Sequence, residues 1–110
     1  MKIAIATINN KGLEDNVSYE FGHSKNFTII EIEGDNIKNI EIIQNPAKNL
    51  NHGRGPIVAK YLANMKVNMI ISGEIGPGAS IILDQLKIEK VIVKPGQKVI
   101  DVLKEKNLIK

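Results

Sequence analysis

The chain has 110 residues, 43% hydrophobic and 25% charged, which bounds it to one globular domain and excludes intrinsic disorder. It has no cysteine, and aromatics are only 4%; this excludes disulfides, thiolate-ligated zinc, a cysteine nucleophile and an all-cysteine iron–sulfur site, and argues against a base-stacking surface for single-stranded nucleic acid. The net charge of +3 is uneven, with four lysines against seven acids in residues 1–45 and eleven Lys or Arg against five acids in residues 46–110. A basic second half either attracts an anionic ligand or solvates helix faces; no basic stripe is dense enough to predict nucleic-acid binding.

Ile3-Ala4-Ile5-Ala6 is apolar without polar alternation and predicts a strand buried on both faces. This run is too short for a signal-peptide core, and nothing approaches the roughly 18 apolar residues of a membrane span, so a cytoplasmic location and no membrane partner are expected. Residues 8–22 are polar, with Asn9-Asn10-Lys11-Gly12 as a turn. The run Phe27–Glu33, the turn Gly34-Asp35-Asn36 and the alternating run Ile37–Ile43 predict an antiparallel hairpin. Residues 44–56 form a polar loop ending at Pro56, suited to the first position of a helix carrying Ile57, Val58, Tyr61, Leu62 and Met65 on one face. Val67–Ser72 predicts a second buried strand. Residues 73–78 then form a glycine loop whose Pro77 starts a helix with Ala79, Ile82, Leu83 and Leu86 inward. Lys90–Lys94 predicts a third buried strand, ended by Pro95-Gly96, and Val99, Ile100, Val102 and Leu103 mark a last helix frayed towards Lys110. The order β, hairpin, α, β, α, β, α implies a right-handed βαβ unit, a parallel sheet segment and an antiparallel edge.

Ligands of parallel α/β sheets sit beyond the carboxyl ends of the strands. Two loops there have suitable chemistry. Gly73, Gly76 and Gly78 let backbone N–H groups approach an anion at a helix N-terminus, or else serve only a tight strand-to-helix turn. The loop is neither a Walker A sequence nor a dinucleotide fingerprint. In His52-Gly53-Arg54-Gly55-Pro56, His52 could ligate a metal or donate to an anion, and Arg54, the only arginine, suits bidentate contact with an anionic group; alternatively His52 caps a turn and Arg54 is solvated. His23 follows Phe21-Gly22 and has no ligand-type neighbour in sequence, so only the fold can bring it to His52. No Gly-x-Ser-x-Gly motif and no clustered acids support catalysis.

The opening MKIAIAT, the segment Phe21-Gly22-His23-Ser24-Lys25-Asn26-Phe27, the segment His52–Pro56 and the block Val67–Ala79 followed by Leu86–Val91 resemble the dinitrogenase iron–molybdenum cofactor family, the NifX-like proteins and the domain shared with NifB and NafY. The resemblance spans the chain as a single domain, 1–110. It implies a ribonuclease H-like three-layer α/β fold, with a mixed five-stranded sheet and flanking helices. It implies a non-catalytic carrier of an iron–sulfur or iron–molybdenum cofactor precursor, an anionic metal cluster, working with cluster-assembly proteins as a monomer or homodimer. By resemblance His52 is the metal ligand, and Gly53, Arg54, Gly55, Gly73, Gly76, Gly78 and His23 complete the binding site. The alternative reading is an enzyme or sensor that takes a phosphate-bearing small molecule or nucleotide on the same loops.

Overall fold

Residues Lys2–Thr7 form the first strand, β1, and its side chains from Ile3 to Thr7 are all buried. It lies at the centre of the sheet, which is why it tolerates no polar alternation. A computed structural model describes residues 1–110. After β1 come a short 3-10 turn at Gly12–Glu14 and the hairpin strands β2 (Asn26–Glu33) and β3 (Asn36–Gln44). Helix α1 (Arg54–Asn64), β4 (Met69–Ser72), α2 (Pro77–Gln85), β5 (Glu89–Ile92) and α3 (Val99–Glu105) follow.

The five strands form one mixed sheet in the order β3-β2-β1-β4-β5. β1 pairs antiparallel with β2 and parallel with β4, while β4 pairs parallel with β5. Alternate residues of each central strand serve opposite faces, giving two cores. Ala4, Ala6, Phe27, Ile29 and Ile70 meet Val58, Ala59 and Leu62 of α1 and Ala79 and Leu83 of α2. Ile3, Ile5, Ile30, Ile32 and Ile71 meet Val99, Val102 and Leu103 of α3 on the other face. The sheet is thus the middle of three layers. The small residues Ala4 and Ala6 make room on the two-helix side for Phe21 and Phe27, whose rings meet edge-on at 5.5 Å. That geometry adds about 0.5–1.5 kcal/mol beyond burial. No helix is long and apolar enough to cross a membrane.

Three predicted elements differ from the observed ones, the first being the second buried strand, which begins at Met69 and not at Val67. Pro56 does not open α1: the helix starts at Arg54, after Gly53 at φ +67°, and Pro56 takes the third position. The first-turn amides of a helix lack an intrahelical acceptor, so proline loses nothing there either. The third parallel strand is shorter than Lys90–Lys94 and is not buried on both faces. It is the sheet edge, and Ile92 is 56% exposed.

Candidate functional site

The loops after β1 and β4, together with the N-termini of α1 and α2, meet at the end of the sheet where these two parallel strands finish. The segment 18–21 is fastened along the end of β4: Gly73 N donates to Ser18 O at 3.0 Å, and Phe21 N donates to Glu74 O at 2.9 Å. The two helix starts touch directly. A Cβ added at Gly55 would lie 3.1 Å from Ala79 Cβ, and one at Gly78 would lie 3.2 Å from Pro56 Cγ. Glycine at both positions lets two positive helix ends converge where any larger residue would hold them apart.

A cleft of about 360 Å³ opens at this junction. His23, Gly53, Arg54, Gly55, Gly76 and Gly78 all line it, so six of the eight predicted site residues come together. His52 is exposed, immediately before Gly53, and is not part of the lining. Gly73 is also outside it. A Cβ there would stand 2.7 Å from Tyr19 O, so its glycine serves the packing of the 18–21 segment. Arg54 lines the cleft, but Nε donates to Leu50 O at 2.5 Å and Nη2 donates to Lys48 O at 3.0 Å. The guanidinium is therefore a fixed positive charge that clamps the preceding turn with its Nε/Nη2 side and leaves its Nη1 end free for an anion.

Glu20, Gly22 and Glu74 also line the cleft, and sequence reading did not find them. Glu20 and Glu74 are 54 positions apart and meet only through the bridge between their backbones. Gly22 did carry a signal, since it stands inside the Phe-Gly-His motif; a Cβ there would be 3.1 Å from Gly55 N. The Tyr19 phenol is raised above its usual pKa, first by hydrogen bonding to Glu74, then by the negative charge of Glu74, by desolvation and by the charge of Glu20. The carboxylates are exposed. Each opposes an anion at about 4 Å by only about 1 kcal/mol in water. The helix ends contribute about 0.3–1 kcal/mol each in the opposite sense, and the Arg54 charge offsets about one carboxylate. Net charge alone therefore gives this cleft little preference; besides charge, the helix starts offer the first-turn amides of Arg54, Gly55, Gly78 and Ala79, since Pro56 and Pro77 have none. No three His, Asp or Glu side chains are grouped so as to hold a bare metal ion.

Residues 1–107 match the family model described as dinitrogenase iron-molybdenum cofactor. The chain belongs to that family. An uncharacterized protein of Methanocaldococcus jannaschii is 46% identical over 89 residues, which are 81% of this chain and 71% of that protein. The NMR structure of a Thermotoga protein proposed to be NifB and placed in the DUF35 family is 27% identical. It aligns with a TM-score of 0.75 over 96% of this chain and 89% of that one. The apo form of the orange protein from Desulfovibrio gigas has the same fold, with a TM-score of 0.85 at 24% identity over 96% of this chain and 85% of that one. The family member described here thus has a mixed five-stranded α/β architecture in common with solved relatives.

Proposed function

We propose that this protein is a non-catalytic binding protein that carries an iron–sulfur or iron–molybdenum cofactor precursor in the cleft between the N-termini of α1 and α2. The observation that carries the reading is the close approach of the two helix starts around Gly55 and Gly78, which brings the first turns of both helices to one cleft. Family membership supports the class of cargo. Cluster sulfides accept hydrogen bonds, the interaction that this cleft offers in place of charge. With no cysteine, the chain supplies no thiolate. Retention then rests on amide hydrogen bonds and the imidazoles of His23 and His52, which suits a cargo handed on rather than kept. His23, in the lining, is the first side-chain ligand, and His52 stands one residue from the lining as the second. The same reading places the protein in the cytoplasm and names its fold ribonuclease H-like, supported by helices on both faces of a sheet with one antiparallel hairpin.

Anaerobic titration with a reconstituted cofactor precursor, followed by absorption and EPR, tests the proposal. Wild type is expected to bind stoichiometrically, His23→Ala to lose about tenfold or more in affinity, as for the loss of a metal-site partner, and His52→Ala to lose less. Absence of binding by wild type, or identical binding by all three proteins, contradicts the reading.

A further inference from the structure

A second cleft, of about 420 Å³, adjoins the first and shares His23 and Arg54 with it. Its chemistry is different. Lys25, Lys48, Arg54 and His23 line it together with the amide side chains of Gln44 and Asn45, and no carboxylate does. The antiparallel hairpin brings these groups together: Lys25 immediately precedes β2, whose Asn26 pairs with Gln44 at the end of β3, and Lys48 lies in the following turn. The four ion pairs of the protein are Lys38–Glu33, Lys90–Asp84, Lys98–Glu14 and Lys110–Asp35, so none neutralises Lys25, Lys48 or Arg54.

The floor of this cleft is rigid. Asn45 is buried and donates to Gly22 O at 2.9 Å and Ser24 O at 2.8 Å, while its own Oδ1 accepts from Ala47 N at 2.8 Å. Arg54, held by the carbonyls of Lys48 and Leu50, keeps its charge at the border of the two clefts with three of its five N–H donors uncommitted. Fixed cations around a concave site focus potential on an anion, and charge-assisted hydrogen bonds are stronger than neutral ones.

We propose that this basic cleft is a binding site for a phosphate group, a site that borders the glycine-lined cleft at His23 and Arg54 and is argued without the cluster reading. A multiply charged tetrahedral oxyanion has the charge that the lysines lack as partners, and its oxygens can accept from Arg54 and the lysines together. A free phosphate and the phosphate of a small ester present the same chemistry.

The test is a ¹H–¹⁵N NMR titration of the full chain with inorganic phosphate, pyrophosphate and adenosine monophosphate. Saturable shifts are expected at the amides of Lys25, Asn26, Gln44 and Lys48. The double variant Lys25→Glu/Lys48→Glu is expected to weaken binding at least tenfold, and Lys60→Glu, on an exposed face of α1, to leave it unchanged. Affinity should also fall steeply as salt rises. The single variants Lys25→Gln and Lys48→Gln give intermediate losses and guard against misfolding of the double variant. Tighter binding of the nucleotide than of inorganic phosphate identifies an ester as ligand, and equal or weaker binding identifies the free oxyanion; both support the site. Absence of saturable shifts, equal affinity in the double variant, or shifts centred on Gly55 and Gly78 overturns it. None of these variants replaces a residue that lines the glycine-lined cleft, so this result and the cluster titration fail independently.

Discussion

Gly73→Ala is expected to lower the unfolding free energy by about 3 kcal/mol, the upper part of the range for forcing an extra methyl into a packed site. The added Cβ would lie 2.7 Å from Tyr19 O, 2.9 Å from Ser18 O and 2.9 Å from Tyr19 Cα. All three are backbone atoms, so no side chain can rotate away. Relief requires lifting the 18–21 segment from the end of β4. That movement stretches Gly73 N to Ser18 O, at 3.0 Å, and Phe21 N to Glu74 O, at 2.9 Å. It also displaces Glu20 and Phe21, which wall the glycine-lined cleft. Gly76→Ala is the control, because nothing lies within 4 Å of the position and its φ is −65°. Urea denaturation should show a large fall in midpoint for the first variant and a change within about 0.5 kcal/mol for the second.

Asp15→Ala is expected to cost a similar amount or more, although the residue looks like part of a solvated polar loop. Its side chain is buried and accepts from the amides of Asn9 at 3.1 and 3.2 Å, Lys11 at 3.1 Å and Asn16 at 2.8 Å. Removing the carboxylate strands three amides, each costing about 1–3 kcal/mol where water does not replace the acceptor. We expect a loss of about 4 kcal/mol on that basis. The consequence reaches α3, because Val99 N donates to Asp15 O at 2.9 Å and Val17 N donates to Gln97 O at 2.8 Å. Loss of the Asp15 nest loosens the strap that seats Val99, Val102 and Leu103 on the sheet. Asp15→Asn, which retains one acceptor oxygen, should recover about half of the loss in the same denaturation experiment.

These two residues also show what the sequence makes legible. β1 could be read because a central strand needs only an unbroken apolar run, and the hairpin because alternation and Gly34 are local signals. The three helices follow from their spacing, since each has one buried stripe, but Ile57, Tyr61 and Leu86, expected on those inward faces, are exposed because the stripe each helix buries is narrower. β5 was misjudged because Val91, Ile92 and Val93 form the same apolar run at a sheet edge as at its centre, and strand order is set by pairing elsewhere in the chain. Asp15 gave no sign because its partners are backbone amides, which every residue but proline has. Gly73 and Gly78 looked alike in one loop, yet the first packs against a distant segment and the second lines the cleft. The acids Glu20 and Glu74 and the cations Lys25 and Lys48 are joined by strand pairing across long separations, so no spacing rule could have grouped them.

The central claim is that cargo sits where α1 and α2 begin, and paramagnetic broadening in an anaerobic ¹H–¹⁵N spectrum of the cluster-loaded protein addresses it most directly. Selective loss of the amide signals of Arg54, Gly55, Gly78 and Ala79 is expected, with Asn36–Ile40 in β3 unaffected. Bound cluster that leaves those four signals sharp while broadening amides on the α3 face would contradict it.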